Sequence, residues 1–203
     1  MRAFLKLTTA VSFAFLLVTA PSASVATQND PRFEQIAALV EKKMAEYGVP
    51  GVAFGIVKNG QATVRALGVT NLDNPQAVTP DTIFALASVS KTITTTAMMR
   101  LVEQGKVDLN APVTQYLPTF KVQDAGTTRD VKIWHLLTHT PGWEGQLTSE
   151  DRGAQTLAHF VDTTMRDLPK LAEPGEVWSY NNAGFNVAGR VIEVVSGQSI
   201  HNA

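Results

Sequence analysis

Asn59-Gly60 lies between two runs rich in β-forming residues, Gly51 to Lys58 and Gln61 to Leu67. The type I′ turn common in two-residue hairpins needs positive φ at both central residues, which Asn and Gly tolerate best, so this dipeptide commits the region to a pair of antiparallel strands. Just before it, Phe33, Ile36, Ala37, Val40, Met44 and Tyr47 recur at helical spacing and Gly48 closes the stripe, predicting a helix over about 31–47. Beyond an Asn-, Asp- and Pro-rich loop the period stays helical. Ile93, Ala97, Met98, Leu101 and Val102 mark a helix over 88–104 stopped by Gly105, and shorter helices are predicted near 111–116, 133–138, 150–163 and 183–195. Glu173-Pro174-Gly175 reads as a turn before the last of these. Helix and hairpin followed mostly by helices predict an α+β fold, a helical region beside an antiparallel sheet.

The same order carries a chemical pattern. Ser88-Val89-Ser90-Lys91 opens the 88–104 helix, and residues three apart share a helix face, so Lys91 falls beside the Ser88 hydroxyl. A serine becomes a useful nucleophile only when a neighbouring group takes its proton. Lysine does this where desolvation or nearby positive charge keeps it partly neutral, and Tyr180 is a second carrier able to share or relay the proton. If Ser88 begins its helix, the unpaired N–H groups and positive dipole end also favour charge developing on a substrate oxygen. A Ser followed by Lys at this spacing is weak evidence alone. Here no other serine has a Lys three residues on, and Tyr180-Asn181-Asn182 holds the one tyrosine with an Asn two residues later. A site assembled from these two distant segments is the favoured reading.

With Ser88-Val89-Ser90-Lys91-Thr92, the run from Leu101 to Leu109, Leu136-Leu137-Thr138-His139-Thr140-Pro141-Gly142 and Tyr180-Asn181-Asn182-Ala183-Gly184-Phe185, the chain resembles the serine β-lactamase and penicillin-binding protein superfamily, in its class C-like branch. The resemblance runs from about Phe33 to the last residue. It implies that Ser88 forms an acyl-enzyme, that Lys91 and Tyr180 handle protons, and that Asn182 hydrogen-bonds the substrate and helps hold Lys91. It also implies a β-lactamase/transpeptidase-like fold whose sheet is completed by C-terminal strands. The family's third motif, Lys or His followed by Ser or Thr and Gly, has no match. The nearest string, Val195-Ser196-Gly197, lacks the basic residue and reads as a helix end. The expectation is a fragment or a C-terminally truncated relative, whose hairpin lacks strand support and is prone to aggregate.

Arg2 and Lys6 precede an apolar stretch from Leu7 to Val18, and Ser24-Val25-Ala26 has the small-x-small form of a signal-peptidase site, so residues 1–26 are expected to be a leader cleaved after Ala26. That stretch is too short for a spanning helix, and the absence of cysteine leaves no residue for bacterial lipid attachment. The expected location is periplasmic or secreted, with residues 27–203 forming the hydrolase domain. Loss of Arg2 and Lys6 takes the formal net charge from −1 to −3, which argues against nucleic acid or an anionic membrane as main partner.

The favoured function is attack on an amide, ester or β-lactam carbonyl of a small molecule or peptidoglycan-derived peptide, a reaction that needs no cofactor. The alternative is an inactive truncated relative that binds peptidoglycan or a partner in the periplasm. His135 and His139 are four apart, but Leu136 stands where zinc peptidases carry Glu, so the favoured assignment is structural, satisfying backbone around Thr140-Pro141-Gly142, with no metal. Trp143 and Trp178 are candidates for a pocket wall or for the core.

Overall fold

The computed structural model describes residues 31–146, 153 and 155–202. The leader assigned to residues 1–26, and part of the helix predicted over 150–163, lie outside the described residues. The chain divides into two compact units, one ending at Phe84 and the other beginning at Ala85.

In the first unit, α1 (Pro31–Tyr47) ends at Gly48 with φ +65, and the Val49 N–H bonds back to the Met44 carbonyl at 2.9 Å. That six-to-one bond across a left-handed residue is a Schellman cap. Strands β1 (Gly51–Lys58) and β2 (Gln61–Gly68) pair antiparallel from Gly51 opposite Gly68 to Lys58 opposite Gln61. Asn59 and Gly60 both have positive φ, the turn geometry their sequence demands. Phe33 stacks on Phe54 with ring centres 5.4 Å apart, and Arg65 of β2 pairs with Glu34 of α1. Burial is thin: Phe33, Ala37 and Val78 are the buried apolar side chains among the described residues of this unit, whereas Ile36 and Tyr47 of the predicted stripe are exposed.

The second unit is helical. A short 3-10 turn, Ala87–Val89, leads into α2 (Ser90–Glu103), followed by α3 (Val113–Tyr116), α4 (Ala125–Asp130), α5 (Ile133–Leu137), α6 (Thr156–Asp162), a 3-10 turn at Thr164–Asp167 and α7 (Asn182–Ser196). Ser88 therefore lies in a 3-10 turn, two residues before the first residue of the α-helix rather than at its start, and Ala87 before it takes φ +47. Sequence pattern assigns no element to 125–130. There the Asp124 carboxylate accepts from both the N–H and the hydroxyl of buried Thr127, at 2.7 and 2.9 Å, an N-cap that sets a helix Gly and Thr would not form by propensity. Ile93 of the expected α2 stripe is exposed, while Met98 and Leu101 are buried.

The core of this unit gathers around α7, which packs on α2, α3, α5 and α6. Ala183, Val187, Ala188, Val191 and Ile192 are fully or nearly fully buried against side chains that include Met98, Ile133, Leu136, Trp143 and Phe160. Helix α7 is capped at both ends, by the Asn181 side chain accepting from the Gly184 N–H at 2.7 Å and by Gly197 at φ +71. The turn Glu173 to Glu176 closes with a 3.0 Å bond and Gly175 at φ +91, as its Pro-Gly sequence predicts.

Candidate active site

Packing of α2 on α7 brings the two candidate segments together. The Tyr180 hydroxyl donates to Ser88 Oγ at 2.6 Å, and Lys91 Nζ donates to Ser88 Oγ at 3.3 Å and to Asn182 Oδ1 at 2.7 Å. All four sequence-selected residues thus belong to one hydrogen-bonded cluster within the second unit. Ser88 is exposed, while Lys91, Tyr180 and Asn182 are half-buried. Beside them is an open cleft of about 410 Å³ whose lining includes Ser88, Lys91, Thr94, Leu157, Phe185 and Ile200.

Lys91 also sits over two rings, with Nζ 4.7 Å from the centre of Tyr180 and 5.5 Å from that of Phe185. A cation over an aromatic face is attracted by the ring's negative quadrupole, which fixes the ammonium between its polar partners. Lys91 beside the phenol is the main cause of a Tyr180 pKa below the usual tyrosine value, and the Ser88 hydroxyl contributes next. Both favour the phenolate.

The loop carrying Tyr180 is fastened to the segment 139–145. Ser179 N–H donates to the His139 carbonyl at 2.9 Å, Asn181 N–H to His139 Nδ1 at 2.9 Å, and Asn182 N–H to the Gly145 carbonyl at 2.7 Å. The buried Asn181 side chain adds a 2.9 Å bond from Nδ2 to the Trp143 carbonyl. Contact is so close that a Cβ on Gly145 would lie 2.4 Å from the Tyr180 carbonyl oxygen. Asn181 and Gly145 escape motif reasoning, although an Asn directly before an apolar helical run is itself an N-cap signal.

The histidines differ from one another. His135 is buried, accepts the Lys132 N–H at Nδ1 over 2.9 Å, and has its pKa pushed down to about 4 chiefly by burial, with Lys132 adding to the effect. His139 lies past the end of α5 at φ +61 and serves the Tyr180 loop through Nδ1 rather than the Thr140-Pro141-Gly142 turn. Among the described residues no three His, Cys, Asp or Glu side chains gather as a metal site. Trp143 is core; Trp178 is 65% exposed, edge-on to His139. No helix among the described residues is long and apolar enough to cross a membrane.

Known proteins resemble this chain in sequence and fold. Penicillin-binding protein 4 of Amycolatopsis lactamdurans is 39% identical over 159 residues, covering 78% of this chain and 42% of that protein. The structure of the D-alanine carboxypeptidase AmpC from Burkholderia cenocepacia superposes with a TM-score of 0.68 at 28% identity, over 85% of this chain and 46% of that one. A class C beta-lactamase shares the fold at a TM-score of 0.72 and 21% identity, over 88% of this chain and 48% of its own. The chain spans less than half the length of these relatives. The family model for beta-lactamase matches residues 36–203, and the chain belongs to that family, within the superfamily of serine β-lactamases and penicillin-binding proteins.

Proposed function

We propose that the site performs serine acyl transfer, with Ser88 as nucleophile, Tyr180 and Lys91 as the proton-handling pair, and Asn182 holding Lys91 and contacting substrate. The observation that carries this reading is the 2.6 Å contact between Tyr180 Oη and Ser88 Oγ, across 92 residues of sequence, with Lys91 Nζ on the same oxygen. In the reactive state Tyr180 is a phenolate and accepts the Ser88 proton as Oγ bonds to the substrate carbonyl carbon. The carbonyl π electrons move to its oxygen, near N–H groups at the start of α2, where the helix dipole is positive. Collapse of the tetrahedral species expels the leaving group, which takes the proton from Tyr180. Water then attacks the ester carbonyl carbon as Tyr180 takes its proton, and the acyl C–Oγ bond breaks with Tyr180 returning that proton to Ser88 Oγ, which releases the acid.

The substrate class proposed is an amide, ester or β-lactam, with D-alanyl-D-alanine peptides included because relatives bear penicillin-binding and D-alanine carboxypeptidase names. Export with cleavage after Ala26 accompanies the proposal, and N-terminal sequencing of the exported protein checks it.

Labelling with a fluorescent penicillin and with an activated ester tests the reaction. The expected result is a covalent adduct that Ser88→Ala abolishes. Persistent labelling of that variant removes Ser88 from the role, and reversible ligand binding without turnover, unchanged by Ser88→Ala, would instead establish a binding protein.

A further inference from the structure

His139 is placed as a clamp on the residue that stands closest to Ser88. Its backbone carbonyl accepts the Ser179 N–H and its Nδ1 accepts the Asn181 N–H, both at 2.9 Å, so one residue grips the chain on either side of Tyr180. Its ring lies over the Tyr180 ring, with centres 4.6 Å apart and planes 27° from parallel, and Phe185 and Trp178 contact it at 5.2 and 5.9 Å. It reaches this position with φ +61, a conformation uncommon outside glycine. A residue held in a costly backbone state by five separate contacts is positioned by the whole surrounding structure.

We propose that His139 is a positioning residue for Tyr180: neutral, it fixes the Ser179–Asn181 backbone so that the phenol meets Ser88, and protonation at Nδ1 releases that grip. The inference rests on the acyl-transfer reading above. An Nδ1 that carries a proton turns from acceptor to donor and faces another donor, the Asn181 N–H, so the bond is lost. Among the described residues, the charged and titratable groups facing the ring are Lys91 from α2 and Tyr180 from the loop, while α7 presents the apolar Phe185. Burial foremost, and then Lys91, hold the His139 pKa below the ordinary histidine value. The clamp is therefore closed at neutral pH and opens on acidification.

The test follows the Asn181 backbone amide by ¹⁵N NMR across pH, alongside the rate of labelling by a fluorescent penicillin. The expected result is an Asn181 amide that titrates with a midpoint below the ordinary histidine value, and an acid limb in the labelling rate at the same midpoint. His139→Asn keeps an acceptor and tolerates positive φ, so it should label within a few-fold of the unmutated protein and lose that acid limb. His139→Ala, folded by circular dichroism, should label roughly tenfold to a hundredfold more slowly, the scale expected when a reacting group is misplaced by about 1 Å. An Asn181 amide that does not titrate overturns the proposal even where His139→Ala fails to fold. So does unchanged labelling in folded His139→Ala, or survival in His139→Asn of the inflection at the Asn181 midpoint, which is separate from the Tyr180 limb at higher pH. Failure of the unmutated protein to label at all is a different outcome, which overturns the acyl-transfer reading itself.

Discussion

Residues 31–84 and residues 85–202 reach their structures by different means. In the first unit the decisive contributions are local: a Schellman cap at Gly48, an Asn-Gly turn and a register they impose, with Phe33, Ala37 and Val78 as the buried apolar side chains. Leu39, Tyr47, Val57 and Leu72 stay more than half exposed. In the second unit short helices with weak propensities are held by a continuous core around α7, and the candidate site is built on the N-terminal ends of α2 and α7. Turn chemistry specifies a shape, whereas packing confers the rigidity on which a 2.6 Å contact between distant side chains depends.

Core truncation gives the largest expected contrast. Phe160→Ala removes a ring that is 2% exposed and should cost about 3–5 kcal/mol in urea unfolding followed by tryptophan fluorescence. Val57→Ala trims a side chain that is 73% exposed and should change stability, by hydrogen exchange of the hairpin amides, by no more than about 0.5 kcal/mol. Equal losses would erase the distinction between the units.

Glycine substitutions sharpen it. A Cβ on Gly60 has nothing within 4 Å, so Gly60→Ala is opposed by its φ of +76 alone and should cost about 1 kcal/mol, leaving labelling of Ser88 unchanged. A Cβ on Gly145 would lie 2.4 Å from the Tyr180 carbonyl oxygen and 2.7 Å from the Asn181 Cα, so backbone must move. Gly145→Ala should slow labelling roughly tenfold to a hundredfold through displacement of Tyr180. Labelling at the original rate would show that the loop's grip on Tyr180 does not matter.

Acid separates the units more gently. All four histidines of the chain lie in the second unit. His135 has a folded pKa of about 4 against an ordinary 6.5, so its neutral form contributes stability fully present above 6.5 and lost as pH falls from 6.5 toward 4. Hydrogen-exchange protection of α5 and α7 should fall across that window while the β1–β2 amides change little. Parallel loss in both units would contradict the assignment.

Much of this was legible in the sequence because the signals were local. Gly48, Asn59-Gly60 and Gly197 each announced a left-handed residue, and Ser88, Lys91, Tyr180 and Asn182 stood out through spacing that the structure turns into contacts. Helix α4 was not legible, since its stability comes from the Asp124 cap and burial of Thr127 rather than from helix-forming residues. The apolar spacing after Ser88 does not show the break in the helix before Ser90. The 3-10 turn there has Ala87 at φ +47, a backbone state alanine does not signal. Sequence spacing ties His139 to the neighbouring turn, because its partner lies 42 residues away and such long-range pairing leaves no periodic trace.

In the proposed reaction the Ser88 proton passes to a Tyr180 phenolate favoured by Lys91, and the pH dependence of acylation reports that transfer. The rate of labelling by an activated ester, corrected for its spontaneous hydrolysis, should rise with pH to a midpoint below the ordinary tyrosine value of about 10. Lys91→Met should move that midpoint upward, and Tyr180→Phe should lower the rate about a hundredfold or more. A Tyr180→Phe variant that labels at the unmutated rate with an unchanged pH profile would contradict the account.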